Sequence, residues 1–213
     1  MYIFVCLVIG YAVGMINPSY IIAKIKGFDI RKKGSGNAGG SNALITMGKA
    51  VGVACILFDI AKSYAAVKLA CAIFPEGRLA FACAAVGTVY GHIFPPYMGF
   101  KGGKGLACLG GSVLAFDPIV FLIMLGAEVI VVFATNYICF VPVTASVAFP
   151  VVYGIMTGDL AGALVLCLIT AAIFFRHREN FVRIRKGTEM RFSYLWKKDE
   201  EQDRVVGNSG RSE

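Results

Sequence analysis

Three short polar stretches in an otherwise apolar chain carry the residue types that do chemistry. The first is GSGNAGGSN at 34–42, which follows the basic run Arg31-Lys32-Lys33. Glycines let backbone N–H groups turn toward a ligand, and Ser35, Asn37 and Asn42 add short side-chain donors. A loop of this kind running into a helix N-terminus is an anion site by construction. The second is GHIFPPYMGFKGGKGLA at 91–107, where Gly99, Gly102, Gly103 and Gly105 surround Lys101 and Lys104. Lysines set among glycines suit a phosphate cradle, and His92, Pro95 and Pro96 predict a kinked, structured approach to it. The third is HRENFVRIRKGTE at 177–189, in which His177, Asn180, Ile184 and Gly187 fall on helical spacing among Arg178, Glu179, Arg183 and Arg185. The chain's two histidines both lie in these stretches.

The same residues exclude several chemistries. Gly99 and the Gly103-Lys104 pair are separated by three residues, not four, and Gly105 replaces the Ser/Thr of a Walker A loop, so nucleotide hydrolysis is not supported. Two distant histidines and no carboxylate cluster make a poor ligand set, and neither metal nor cofactor is expected. Seven cysteines, an odd count without a CxxC, scatter through apolar runs and read as small hydrophobic residues. The net charge of +8 is explained by inner loops against an anionic lipid surface, without nucleic acid.

The elements that must position these stretches are membrane helices. Of 213 residues, 57% are hydrophobic and 16% charged, against roughly half and a quarter in a soluble domain. Seven apolar segments are predicted, at about 1–24, 51–73, 79–97, 105–116, 119–135, 138–156 and 160–175. The fold class is therefore all-α, a polytopic membrane protein, with one domain over 1–196 and a polar, disordered tail at 197–213. Lys/Arg crowd the loops holding the three stretches, whereas PEGR at 75–78, DP at 117–118 and TGD at 157–159 hold Arg78 alone. That asymmetry predicts seven spans with the N-terminus outside and the tail in the cytoplasm. Within the second span, Asp59 and Lys62 are i,i+3 neighbours and are expected to form a structural ion pair, because lone charges at depth are costly. Glu128, in the fifth, has no sequence-local partner. Three cationic, donor-rich turns on one membrane face suit a phosphate-bearing substrate whose acyl chain stays in the lipid.

The three stretches, in this order and spacing and with Asp59, Lys62 and Gly91-His92, resemble the bacterial acyl-phosphate-dependent glycerol-3-phosphate acyltransferases, a seven-span integral-membrane family. The resemblance extends to about residue 192. It implies transfer of an acyl group from acyl phosphate to the sn-1 hydroxyl of glycerol 3-phosphate, giving lysophosphatidic acid and phosphate. This is the first acylation of bacterial phospholipid synthesis, at the cytoplasmic face of the cell membrane. An enzyme that makes acyl phosphate would be its functional neighbour. The family's motif residues fall on Ser35, Gly36, Asn37, Gly39, Asn42, Lys104, His177, Asn180 and Glu189.

On this reading Ser35, Lys104, His177 and Asn180 are catalytic, and Gly36, Asn37, Gly39, Asn42, Lys101, Gly102, Gly103, Gly105, Arg183 and Glu189 bind substrate or phosphate. The backbone N–H groups of 102–105 are expected to hold phosphate, and either His177 or a substrate phosphate takes the proton. The chain departs from the family at Ile45, where an arginine is common, and at Gly40-Ser41, Ser63 and Cys108. A transporter of phosphorylated metabolites is the rival class, since broken helices and glycine loops also mark transporters. The one-sided placement of the polar stretches and the lack of an inverted repeat speak against it.

Overall fold

The computed structural model describes residues 1–195, 197, 200, 201 and 203–205, and it is all-α. The helices run α1 (Tyr2–Met15), α2 (Pro18–Ile25), α3 (Gly40–Met47), α4 (Lys49–Ile73), α5 (Ala80–Ile93), α6 (Leu106–Phe116), α7 (Pro118–Thr135), α8 (Phe140–Thr157) and α9 (Leu160–Arg185). Five stretches are long and apolar enough to cross a membrane: 2–25 (α1 with α2), α4, α7, α8 and α9. The other two expected spans, α5 and α6, are only 14 and 11 residues long. At 1.5 Å per residue they rise roughly 21 and 17 Å, short of a hydrocarbon core of about 30 Å. Helix α5 is buried almost throughout and lies at the centre, against α1, α4, α6 and α9. Helix α7, by contrast, turns Ile119, Leu122, Ile123, Ile130 and Phe133 outward.

The central contact, α1 on α5, is set by small residues. A Cβ at Gly10 would stand 2.2 Å from the Ala84 carbonyl oxygen, and one at Gly91 would stand 2.2 Å from that of Tyr11. Side chains at these positions would push the backbones apart. In lipid, where no hydrophobic effect drives helices together, such close approach supplies the packing.

Interruptions in the helices follow from proline and are used. Asn17-Pro18 ends α1: Asn17 caps α2 by accepting from the Tyr20 N–H, and Pro18 has no N–H to give. The carbonyls of Met15 and Ile16 are thereby freed, and they accept from the Tyr97 hydroxyl (2.6 Å) and the Lys62 ammonium. Pro150 inside α8 similarly frees the Ser146 carbonyl, which accepts from Thr170 of α9. Inside a bilayer every such group must find a partner within the protein.

The chain alternates between the two ends of the bundle. One end gathers the 26–39, 94–105 and 186–193 segments. The other is closed by Arg78, whose guanidinium lies 2.8 Å from Asp159, and by the Tyr153 hydroxyl, 3.4 Å from the same carboxylate. Of the tail expected to be disordered, Glu200, Glu201, Asp203, Arg204 and Val205 are helical, and the Arg204 guanidinium donates to the carbonyls of Gly187 and Glu189. Lys197 is described ahead of that helix, its N–H donating to the Ser193 carbonyl (2.8 Å), and the remaining tail residues lie outside the described residues.

The packing predicts a contrast between two glycine substitutions. Gly91→Val should lower the thermal midpoint of the detergent-solubilised protein by many degrees or prevent its accumulation. Gly126→Val, in α7 where an added Cβ meets nothing within 4 Å, should leave it within a few degrees. Fluorescence-detected size exclusion after heating reads both.

Candidate active site

The first stretch is organised from beneath by Asn42, which is fully buried on α3. Its Nδ2 donates to the carbonyls of Ile30 (2.9 Å), Lys33 (3.0 Å) and Asn37 (2.8 Å), and its Oδ1 accepts from the Ser35 N–H (2.8 Å). The turn needs left-handed backbone at Gly34 (φ 57°) and Gly36 (φ 73°), which glycine adopts without strain. Asn17 adds a 2.8 Å bond to the Ala38 carbonyl. The result displays Ser35 on the surface, its hydroxyl unbonded among the described residues. Asn37 Oδ1 is buried without a partner among them. Asn42 thus acts as the scaffold of the turn, with its donors spent inside the fold. The last three residues of the stretch, from Gly40, begin helix α3, so helix starts earlier than the 51 expected from hydropathy.

Arg31 ties this turn to the second stretch. Its guanidinium binds Asp29 (Nη2 to Oδ2, 2.8 Å), lies over the Tyr20 ring at 5.1 Å, and donates from Nη1 to the Met98 carbonyl. The hydrogen bond from Arg31 holds the Asp29 carboxyl down at about 2.

The glycines of the second stretch serve packing more than ligand binding. The N–H groups of Gly102 and Gly103 donate to the carbonyls of Ile93 (3.0 Å) and His92 (3.1 Å). They are therefore not free for phosphate, a correction to the expectation for 102–105. A Cβ on Gly103 would stand 2.0 Å from His92 Nε2, so only glycine fits. Arg176 clamps the same two residues, donating to the carbonyls of Gly102 (3.1 Å) and Gly103 (3.3 Å). What remains for an anion is the N–H groups of Lys104 and Gly105, which lead into the N-terminus of α6, and the lysine side chains. Lys101 is exposed, whereas Lys104 is half-buried.

The third stretch rides on α9, which continues to Arg185, about ten residues past the predicted end of the span. Lys104 Nζ donates to Asn180 Oδ1 (2.6 Å), Asn180 Nδ2 donates to Glu189 Oε1 (2.6 Å), and Arg183 Nε donates to Glu189 Oε2 (2.6 Å). One amide thereby joins a lysine to a carboxylate that an arginine also holds. Burial pushes the Lys104 ammonium below its ordinary value of 10.5, and the nearby Arg183 charge pushes the same way. His177 precedes Asn180 by one turn and is 2% exposed, with Nδ1 2.8 Å from the Ile173 carbonyl. A carbonyl only accepts, so Nδ1 carries the hydrogen and Nε2 keeps its lone pair.

Beneath the loops sits a buried ionic group. The Lys62 ammonium contacts Asp59 Oδ1 and lies 3.2 Å from His92 Nδ1, which is itself 3.4 Å from Asp59. Asp59, His92 and Cys108 present ligand-type atoms within 4.8 Å of one another. The cation among them is the Lys62 ammonium, which would compete with any metal for the same carboxylate. Glu128 of α7 accepts from the Thr144 hydroxyl of α8 at 2.7 Å.

Lys104, Asn180, Arg183 and Glu189 therefore form one bonded chain with His177 alongside. Ser35, Asn37 and Asn42 belong to a second turn at the same end, joined to the first through Arg31, Met98, Tyr97 and Met15. The Ser35 hydroxyl does not bond Lys104 or His177. Arg176 and Asn17 were not singled out from sequence, and Arg31 stood there as part of a basic run and not as a tie between loops. Asn17-Pro18 was a readable turn signal, but nothing in the sequence distinguishes Arg176 from a basic residue at the end of a span.

Comparison with known proteins follows the same outline. The family model described as Glycerol-3-phosphate acyltransferase matches residues 4–187. A glycerol-3-phosphate acyltransferase of Clostridioides difficile is 38% identical over 187 residues, covering 85% of this chain and 91% of the relative. One from Bacillus subtilis is 33% identical over 196 residues, covering 92% and 100%. The crystal structure of PlsY (YgiH), an integral membrane glycerol 3-phosphate acyltransferase in its glycerol 3-phosphate form, superposes with a TM-score of 0.82 at 30% identity, covering 91% of this chain and 96% of that one. Its lysophosphatidic acid form gives 0.80 at 29%, covering 96% and 98%.

Asn42→Leu should leave the carbonyls of Ile30, Lys33 and Asn37 without their donor, at about 1–3 kcal/mol for the buried Ile30 carbonyl and less for the two that water reaches. Amide hydrogen exchange across 30–40 should accelerate strongly, while α7 and α8 exchange as before.

Proposed function

Because the chain belongs to the glycerol-3-phosphate acyltransferase family and is an integral-membrane acyltransferase, we propose that its donor is an acyl phosphate and its product lysophosphatidic acid. The observation that carries this reading is the Lys104–Asn180–Glu189–Arg183 chain, two cations and a carboxylate tied through one amide at the end where all three polar stretches meet. A mixed carboxylic–phosphoric anhydride is already activated. It asks of the protein alignment of hydroxyl and carbonyl, and donors for the charge on the departing phosphate.

In this scheme Lys104, with the N–H groups leading into α6, holds the phosphate of the donor. Asn180, oriented by the Glu189 carboxylate that Arg183 holds, positions the acceptor. Ser35 on its turn donates to the carbonyl or phosphate from the opposite wall, with Gly36, Asn37 and Gly39 shaping that wall. The sn-1 oxygen bonds to the acyl carbon, the bond from that carbon to the phosphate oxygen breaks, and the hydroxyl proton leaves to His177 Nε2. The tautomer fixed by Ile173 leaves His177 Nε2 able to take that proton, and a substrate phosphate is the alternative acceptor.

The same reading places seven crossings in the bilayer, with α5 and α6 as the short ones, in one domain over 1–196. The site lies at the cytoplasmic face of a bacterial membrane, and the N-terminus lies outside. Short helices ending in buried loops bring polar backbone to membrane depth only where protein covers it. An enzyme that generates acyl phosphate supplies the donor.

Two outcomes test the chemistry and the topology. The detergent-purified protein should convert palmitoyl phosphate and glycerol 3-phosphate to lysophosphatidic acid and phosphate, and should not use palmitoyl-CoA. His177→Ala should lower kcat about 100-fold or more. The charged Lys104 is lost as pH rises through its depressed value, so kcat/KM should fall at lower pH than an ordinary lysine would give, and Lys104→Arg should move that limb upward. Use of acyl-CoA as direct donor would overturn the reading. For topology, an impermeant maleimide applied to intact cells of a variant lacking the native cysteines should label a cysteine placed at Glu76 and spare one placed at Lys33.

A further inference from the structure

Among the described residues, two that are not glycine hold a positive φ: Asn136 (φ 60°), at the end of α7, and Phe100 (φ 59°). Asparagine tolerates that region, but for a bulky aromatic residue it is an outlier, and such strain collects at functional sites. Phe100 follows Gly99, itself at φ 62°, so two successive left-handed residues turn the chain just before Lys101. The turn is pinned by bonds from Gly99 N to the Pro96 carbonyl (2.9 Å), Phe100 N to the Pro95 carbonyl (3.0 Å) and Gly102 N to the Ile93 carbonyl (3.0 Å).

The backbone bonds fix the turn, but the side chain is not buried in return. The Phe100 ring is 58% exposed, lies outside the buried core, and makes no ring contact among the described residues. Glycine would meet the backbone requirement at lower cost. The loop nevertheless presents a large apolar ring beside Lys101 and four residues before Lys104, with Leu106 also exposed at the start of α6. An apolar surface next to phosphate-binding cations fits a ligand in which hydrocarbon adjoins phosphate. Of the two substrates proposed above, glycerol 3-phosphate has no hydrocarbon chain and the acyl phosphate does.

We propose that Phe100 is a specificity-determining residue that packs against the first methylenes of the acyl chain while the lysines of its loop hold the attached phosphate. This rests on the acyl-phosphate reading of the site. Phe100→Gly should raise KM for palmitoyl phosphate about tenfold, the loss of one modest apolar contact. KM for glycerol 3-phosphate should stay unchanged, and the thermal midpoint should stay equal or rise, because strain is relieved. Phe100→Leu should keep the wild-type KM. Stabilisation by dodecyl phosphate should weaken in Phe100→Gly, while that by inorganic phosphate should not.

A fall in thermal midpoint, an equal rise in both KM values, or an unchanged KM for palmitoyl phosphate would each overturn the proposal, showing respectively a fold element, a general loop effect and an interfacial ring without a substrate role. If the wild type fails to turn over palmitoyl phosphate, the acyl-phosphate reading falls instead, and the dodecyl phosphate comparison still decides whether Phe100 recognises chain beside phosphate.

Discussion

The buried ion pair of Lys62 with Asp59, shared with His92, is the interaction on which the architecture turns. All three side chains are at most 5% exposed, and charges at membrane depth are tolerated only when they compensate one another. Each member also reaches outward. Lys62 donates to the Ile16 carbonyl, which the α1–α2 break has freed, and the Asn17 next to it holds the Ala38 carbonyl of the Ser35 turn. His92 gives its own carbonyl to the Gly103 N–H and its ring to the space a Gly103 side chain would need. One ionic group in the bundle interior therefore sets the height of two separate loops at the surface.

A division of labour follows among residues that look alike in sequence. Polar side chains under the loops, Asn17, Asn42, Asp29 with Arg31, and Arg176, spend their hydrogen bonds on backbone carbonyls or on each other. Those left facing outward are Ser35 and Lys101, with Lys104 reaching Asn180 across the mouth. Preorganisation of this kind lets donors wait at a fixed position without reorganising as charge develops.

Much of this was legible. Apolar runs gave the long helices, and two histidines confined to the polar stretches marked where to look. Three things were hidden for physical reasons. Hydropathy cannot see that α5 stops at Ile93, short of a full span, because residues in a central helix and residues facing lipid are equally apolar. Glycine content does not separate N–H groups turned to a ligand from those spent on a neighbouring strand of loop, as Gly102 and Gly103 are. The helix through Gly40–Met47 was masked by glycine and asparagine, whose low propensity is overridden by packing of Gly40 on Ile56.

The departure at Ile45 narrows how the acceptor phosphate is met. That residue is 68% exposed on α3, where the family resemblance implies a guanidinium. The arginines nearby are not free to replace it. Arg31 is held by Asp29 and Met98, Arg176 by the carbonyls of Gly102 and Gly103, and Arg183 shares Glu189 with Asn180. Taking any of them would unfasten a loop or remove the carboxylate that orients Asn180. The cations that move without such a cost are the lysines Lys32, Lys49 and Lys101, all exposed. An ammonium meets phosphate as a point charge with rotatable donors, where a guanidinium fork would fix it bidentately. On the proposed reading, the chain therefore binds its acceptor through mobile charge around a rigid floor. Orientation of the sn-1 hydroxyl then falls to Asn180 and His177, which the helix holds in place.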